Sequence, residues 1–340
     1  MKKEAFLYEK LGGKKVHCFL CAHQCKINDS KFGICGVRQN IDGILYTHVY
    51  GDVIVRSVDP IEKKPLYHFY PGSYSYSVAT PGCNFQCGFC QNWKISQLRR
   101  NISPQQNRNL MTPDEVVQNA ILNDCQSISY TYTEPTIFFE FAHDVAYRAK
   151  KKGLSNVFVT NGYMTKEAVE LIHPYLDAAN VDLKSFRDDF YQKNCHGHLR
   201  PVIETIHLMK ELGIWVEITT LIIPGKNDSV KELTDIAKFI ALVDKDMPWH
   251  VTRFYPDYEF MKIEPTSIEI LRKAFDIGQR QGLRYVYIGN VNNNMNSTIC
   301  SECHTLLIKR SNFSVQENKI IDGRCPVCRA PVEGKFEIIV

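Results

Sequence analysis

Short apolar runs alternate with helical patterns through the middle of the chain, and this alternation constrains the fold more than any other feature. The runs are SYSVAT, SISYTYT, NVFVT, ANVDLK, WVEITTLII, WHVTRF and RYVYIG, spread between residues 74 and 292. Each is brief and rich in apolar, β-branched and aromatic residues, as buried parallel strands are. The intervening segments carry helix signals. Thr112-Pro113-Asp114-Glu115 reads as a capping box with proline at the first helical position. A second helix, over 266–281, opens on TSIE with the same expected box and has Gly282 at its exit. Strand and helix alternate about six times, which predicts an α/β chain with a parallel sheet and crossover helices. Six units fall short of the eight that close a barrel. The expected fold is therefore a partial, open-sided (β/α)6 barrel of TIM type.

Ligands of such sheets sit at the carboxyl ends of the strands, and unusual polar residues collect there. SISYTYT runs into Glu134-Pro135, and NVFVT ends in Thr160-Asn161-Gly162. ANVDLK places Asp182 and Lys184 two residues apart, on one side of a strand. WVEITTLII leads into Pro224-Gly225-Lys226-Asn227-Asp228, and TRFYPD follows at 252–257. These groups should converge on one mouth.

Cysteine organises the rest. The chain has 340 residues and 13 cysteines. Its opening, MKKEAFLYEKLGGKK, has no apolar stretch of secretion-signal length, so a reducing, cytoplasmic compartment is expected, with the cysteines as metal ligands. No run approaches the roughly 20 apolar residues of a membrane span. A net charge of +4 is too mild to imply nucleic acid or membrane. Three zones follow: an N-terminal cysteine module over 1–70, the barrel over 71–292, and a C-terminal ribbon over 297–340. The asparagine-rich stretch 290–298 reads as a linker.

Within TPGCNFQCGFCQN, residues 80–92, Cys83, Cys87 and Cys90 stand three and two residues apart, directly after the first strand. A closed four-thiolate site wants a fourth ligand. Three thiolates on an iron–sulfur cube leave one iron open, which suits catalysis. The bland alternative is a zinc ion completed by a distant His or Cys. This C-x3-C-x2-C loop resembles that of the radical S-adenosylmethionine (SAM) superfamily, as does Phe89 before the third cysteine. The resemblance implies a [4Fe-4S] cluster on Cys83, Cys87 and Cys90. It implies SAM chelated to the open iron and cleaved reductively to a 5′-deoxyadenosyl radical that abstracts hydrogen from substrate.

More locally, GCNFQCGFCQNWKISQ, PIEKKPLYHFYPG, YTYTEPTIF, VTNGY, VDLKSF and IPGKND look like the AmmeMemoRadiSam radical SAM proteins, relatives of activases such as the pyruvate formate-lyase activating enzyme. Thr131-Tyr132-Thr133-Glu134-Pro135 stands where activases carry Gly-Gly-Glu-Pro, and Val159 stands where they carry an acid. By that resemblance Glu134, Thr160, Asn161, Asp182 and Lys184 surround SAM, and Asn290 is a candidate for adenine contact. The resemblance further implies an electron donor such as flavodoxin or ferredoxin, a protein substrate, and Memo-like and AMMECR1-like partners. An alternative is an activase that installs a glycyl radical on another protein. A rival from another class is a zinc-ribbon scaffold with an inactive barrel.

The remaining cysteines form two quartets. Cys300, Cys303, Cys325 and Cys328 make two C-x2-C knuckles flanking an expected hairpin, the signature of a zinc ribbon. Its basic residues, Lys309, Arg310, Lys319, Arg324 and Arg329, are too sparse to argue for nucleic acid. Cys18, Cys21, Cys25 and Cys35 form a second closed set that suits zinc or a second iron–sulfur cluster, since both accept four thiolates. His17 and His23 flank that set and read as surface histidines. Cys125 reads as core. Cys195 is either a relay thiol near the mouth or a plain buried cysteine, and His196 and His198 are candidate acid–base groups.

Overall fold

The computed structural model describes residues 2–97, 110–291 and 295–337; the middle of the expected linker, 292–294, lies outside the described residues. All seven apolar runs are strands. Tyr74–Ala79, Ser127–Tyr130, Ser155–Thr160, Ala178–Asp182, Trp215–Ile222, Trp249–Arg253 and Val286–Gly289 lie side by side in chain order, each parallel to the next. Six crossovers join them, so the sheet is the expected open partial barrel. An eighth strand, Val55–Pro60, pairs antiparallel with Tyr74–Ala79 at the edge. That strand comes from within the first zone of the sequence, while residues upstream of it form two small three-stranded antiparallel sheets.

The helices pack their apolar faces on the sheet. Pro113–Leu122 begins as expected, with the Thr112 hydroxyl accepting from Glu115 N and the Glu115 carboxylate accepting from Thr112 N. The last barrel helix differs from its expectation. It spans Ile268–Arg280, capped by Ser267, whose hydroxyl accepts from Ile270 N, and has no capping box. Thr266 cannot cap because its buried hydroxyl is already committed. It donates to Ile222 O at 2.5 Å and accepts from Phe254 N at 2.9 Å.

The ribbon is a hairpin of Leu306–Ser311 and Ser314–Asn318 beside Thr298–Ile299. Leu307, Ile308 and Val332 pack on Tyr285 and Tyr287 of the barrel and on Tyr67 just ahead of it. Arg310 is wholly buried there. It pairs with buried Glu62 at 3.4 Å and donates to Tyr67 O at 2.7 Å and Thr298 Oγ1 at 2.8 Å. It is therefore a dock for the ribbon, withdrawn from any surface role.

His68 completes this joint. One ring nitrogen lies 2.7 Å from Glu333 O and the other 2.6 Å from the Tyr287 hydroxyl. A carbonyl only accepts, so the neutral ring donates to Glu333 and accepts from Tyr287. Burial pushes the His68 imidazole down from 6.5 to about 4. Between those values the unfolded chain binds a proton that the folded one does not, so stability is full above pH 6.5 and falls as pH drops toward 4. The expected loss is about 3 kcal/mol across that window. Denaturant titrations at pH 7 and pH 4.5 measure it. A His68→Gln variant that keeps the whole pH dependence would show that the loss arises elsewhere.

Candidate functional site

The three-cysteine loop leaves the carboxyl end of strand Tyr74–Ala79 and is clamped by backbone. Gln86 N donates to Cys195 O at 3.0 Å, Gly88 N to Asn194 O at 3.2 Å, and Glu259 N to Gly88 O at 3.0 Å. Gly82 holds a φ of +102°, and a Cβ there would fall 2.7 Å from Val37 Cγ1. Only glycine suits that turn. The sulfurs have local donors. Phe85 N lies 3.4 Å from Cys83 Sγ, and Ser96 Oγ lies 3.1 Å from Cys90 Sγ. Burial, reinforced by Glu134 and the neighbouring thiols, pushes the Cys83 thiol well up. Burial raises Cys90 as well. A hydrogen bond with Cys195 lowers Cys87.

The neighbouring strand ends supply the rest of the wall. Glu134 is buried, and its carboxylate is fully engaged by the fold. Oε1 accepts from Thr136 N at 3.1 Å, Thr136 Oγ1 at 2.6 Å and Thr160 Oγ1 at 2.7 Å, while Oε2 accepts from Asn161 N at 2.8 Å. Thr160 Oγ1 also accepts from Gly162 N at 3.0 Å. Asn161 reaches the other way, its Nδ2 donating to Asn84 Oδ1 at 2.7 Å beside Cys83. These three residues form one brace from the second strand end, across the third, to the cysteine loop. Gly162 turns the chain there with φ +69°; its Cβ would meet Val181 at 2.8 Å.

Asp182 and Lys184 differ from this brace. They pair at 2.9 Å, and Asp182 stays partly open. Burial alone would lower Lys184, but Asp182 and the Cys87 and Cys195 sulfurs hold its ammonium well above the usual range. Asn290 takes a φ of +59° and accepts from the Tyr255 hydroxyl through its carbonyl at 3.1 Å. Cys83, Cys87, Cys90, Glu134, Thr160, Asn161, Asp182, Lys184 and Asn290 all line one cavity of about 320 Å³, at the low end of ligand-pocket sizes.

Other residues named from the sequence lie elsewhere. Cys195 is fully buried behind Cys87, outside the cavity lining. His198 pairs with Asp188 at 3.0 Å on the exterior, and neither it nor His196 lines the cavity. Cys125 is buried core. His23 is not a free surface group: Nε2 lies 2.8 Å from Asn84 O and the ring packs on Tyr163.

Sequence reasoning missed part of the lining. Lys64 and Tyr132 both face Asp59, at 2.7 and 2.5 Å, and both line the cavity. Burial pulls the Lys64 ammonium down to about 8. Lys64 belongs to PIEKKPLYHFYPG, where nothing local distinguishes a lysine that turns into the cavity from one on the surface. Thr219 lines the cavity with a buried hydroxyl that has no partner. Nothing in WVEITTLII marks it, since β-branched threonine is common in strands.

Fold and site together define a barrel enzyme whose mouth is built around a metal-ready loop of three thiols. A family model described as the radical SAM superfamily matches residues 77–240. An uncharacterised protein of Methanocaldococcus jannaschii is 44% identical over 338 residues, covering 97% of this chain and 99% of that one. A second protein of that organism, provisionally named a glycyl-radical enzyme activating enzyme, is 27% identical over 65% of this chain and 89% of its own. A radical SAM methyltransferase from Sphaerobacter thermophilus shares the fold, with a TM-score of 0.51 at 16% identity over 66% of this chain and 68% of that one. The chain belongs to the radical SAM superfamily. It is thus an iron–sulfur, SAM-dependent enzyme.

The residues present fit those cofactors. Among the described residues only Cys300, Cys303, Cys325 and Cys328 gather their sulfurs within 4.8 Å of one another, as one tetrahedral ion requires. Cys83, Cys87 and Cys90 are not so gathered; all three line the cavity of about 320 Å³, which gives a cube of iron and sulfide a place beside them. The unpartnered Thr219 hydroxyl and the open Asp182–Lys184 pair offer polar contacts beside it. No helix among the described residues is long and apolar enough to cross a membrane.

Proposed function

We propose that this protein cleaves SAM reductively and uses the resulting radical to take hydrogen from a polypeptide substrate. One observation carries this: three thiols of one loop and the polar ends of several parallel strands enclose a single cavity. When bound, a [4Fe-4S] cluster and SAM together supply a 5′-deoxyadenosyl radical from one electron. Cys83, Cys87 and Cys90 hold the cluster. Asp182 and Lys184 present opposite charges that match a zwitterionic methionine group. Glu134, Thr160 and Asn161 act as positioning residues, because their side chains are spent on the scaffold. Asn290, at the last strand end, would lie beside a bound adenine, and Phe85 and Phe89 in the lining would help to exclude water.

Support for a polypeptide substrate comes from the mouth. Through Gln91 and Asn290 the cavity shares its rim with a groove of about 520 Å³, which runs to Asn312 and exposed Phe313 of the ribbon. A long substrate fits such a path better than a small metabolite. A flavodoxin- or ferredoxin-type protein supplies the electron, and a zinc ion on the C-terminal quartet holds the ribbon in place. Memo-like and AMMECR1-like proteins are the first substrates or partners to test. The similarity to proteins named as glycyl-radical activators favours a second reading, in which the product is a glycyl radical.

Anaerobic protein reconstituted with iron and sulfide, given SAM and dithionite, should absorb broadly near ~400 nm and release 5′-deoxyadenosine. Absence of the nucleoside would overturn the reading. A spin-resonance doublet on mixing with a glycyl-radical partner would select the activase form.

A further inference from the structure

The N-terminal quartet has a geometry unlike that of the ribbon. In the ribbon, Cys300 and Cys328 lie 3.6 Å apart, as do Cys303 and Cys325. Such spacing suits one zinc, whose bonds of about 2.3 Å bring four sulfurs almost into contact. Among the described residues, no three of Cys18, Cys21, Cys25 and Cys35 gather within 4.8 Å. They share this spread with Cys83, Cys87 and Cys90, the loop that takes a cube.

The spread is not disorder of four unrelated thiols. All four wall one enclosed cavity with Leu20, Ile27 and Ile137. The cavity has a volume of about 20 Å³, more than the roughly 10–15 Å³ that a single water needs. Four thiolates drawn tightly around one ion would leave no such space. Arg38, only 2% exposed, lines the same cavity. Its Nη1 donates to Cys18 Sγ at 3.5 Å, and its Nε–H has no acceptor. A buried donor without an acceptor is costly, and sulfide or thiolate of a cluster would supply one. Arg38 cannot swing away, because its Nη2 donates to Glu140 and its Nη1 donates to Phe6 O as well as to Cys18.

The cavity also lies against the back of the catalytic loop. A Cβ on Gly82, next to Cys83, would be 3.4 Å from Cys35 O. His23, in the same wall, reaches Asn84 O at 2.8 Å, and Ala22 N donates to Tyr163 O at 3.2 Å.

We propose that Cys18, Cys21, Cys25 and Cys35 ligate a second four-iron, four-sulfide cluster seated directly behind the first. Four protein thiolates close it, so it takes no SAM. It holds one electron beside the loop that needs one. Received from a one-electron carrier protein, that electron takes the second cube from the +2 to the +1 state. Passing it on restores +2 and reduces the first cube by the same single step.

Metal analysis of anaerobically purified protein tests this without reference to turnover. Two cubes and one ribbon ion give about eight irons and about one zinc per chain. The Cys83→Ala/Cys87→Ala/Cys90→Ala variant should keep about four irons and show a paramagnetic cluster signal on reduction. Adding Cys21→Ser and Cys25→Ser to it should remove the remaining iron. In the intact protein the two reduced clusters should broaden each other's signals. About four irons with about two zincs in the intact protein, or an iron-free triple variant that still folds, would overturn the proposal. Full iron without any 5′-deoxyadenosine would instead sink the SAM reading and leave this one standing.

Discussion

Alanine at Cys87 should abolish release of 5′-deoxyadenosine, lowering it by more than about a thousandfold to the background of free dithionite and SAM. Two thiolates cannot hold a cube at fixed orientation, and the iron that must stay open for a ligand is defined only by the three that are closed. Cys87 is also buried, with Cys195 buried behind it and outside the cavity lining. Cys125→Ala is the matched control: that cysteine is buried, far in sequence from the loop, and outside the cavity lining. It should lose about 1–2 kcal/mol of stability to a small void and keep its nucleoside yield. Chromatography of the nucleoside, with absorbance of the cluster, separates the two variants. A Cys87→Ala protein that still makes 5′-deoxyadenosine would refute the three-thiolate centre.

Glu134→Ala should be the most damaging single change away from the cysteines. It strands four donors at once: Thr136 N, Thr136 Oγ1, Thr160 Oγ1 and Asn161 N. Buried groups left without acceptors cost about 1–3 kcal/mol each, partly relieved by relaxation, so a loss of about 3–5 kcal/mol is expected. Because Asn161 also holds Asn84 beside Cys83, cluster occupancy should fall with stability. Glu134→Gln keeps the shape but turns an amide N–H toward Asn161 N, donor against donor, and should cost about 1–3 kcal/mol. Denaturant unfolding and iron content measure both effects. Wild-type stability in Glu134→Ala would mean that the brace carries no load. Weakened SAM binding with normal stability would mean that Glu134 touches the ligand itself.

These two cases show how far the sequence reaches. The parallel sheet was legible because each strand declares itself within a few residues: a short run rich in apolar, β-branched and aromatic residues between helical patterns means a buried strand. The cysteine loop was legible because three ligands on one short loop need no partner from elsewhere. The ribbon's knuckles were legible for the same reason. The TSIE cap was misread because Thr266 finds its partners at Ile222 and Phe254, remote in sequence. Nothing near Arg310 in the sequence shows that it is buried against Glu62, 248 residues away.

By itself, then, the sequence determined the open parallel barrel, the three-thiol loop and the placing of Glu134, Thr160, Asn161, Asp182 and Lys184 at one mouth; of the other expected strand-end segments only Thr252 lines the cavity, and residues 224–228 lie outside it. Those features rest on local chemistry: periodicity, capping and ligand spacing. The tertiary structure alone decided which polar groups are spent on the scaffold and which stay open. It saturates Glu134 and Thr160, leaves Asp182 and Lys184 facing the cavity, and holds the N-terminal sulfurs apart while drawing the C-terminal ones together. The physical reason is that a hydrogen bond or a metal site depends on which atoms lie within about 3 Å, and chain folding brings most of those atoms from far along the sequence.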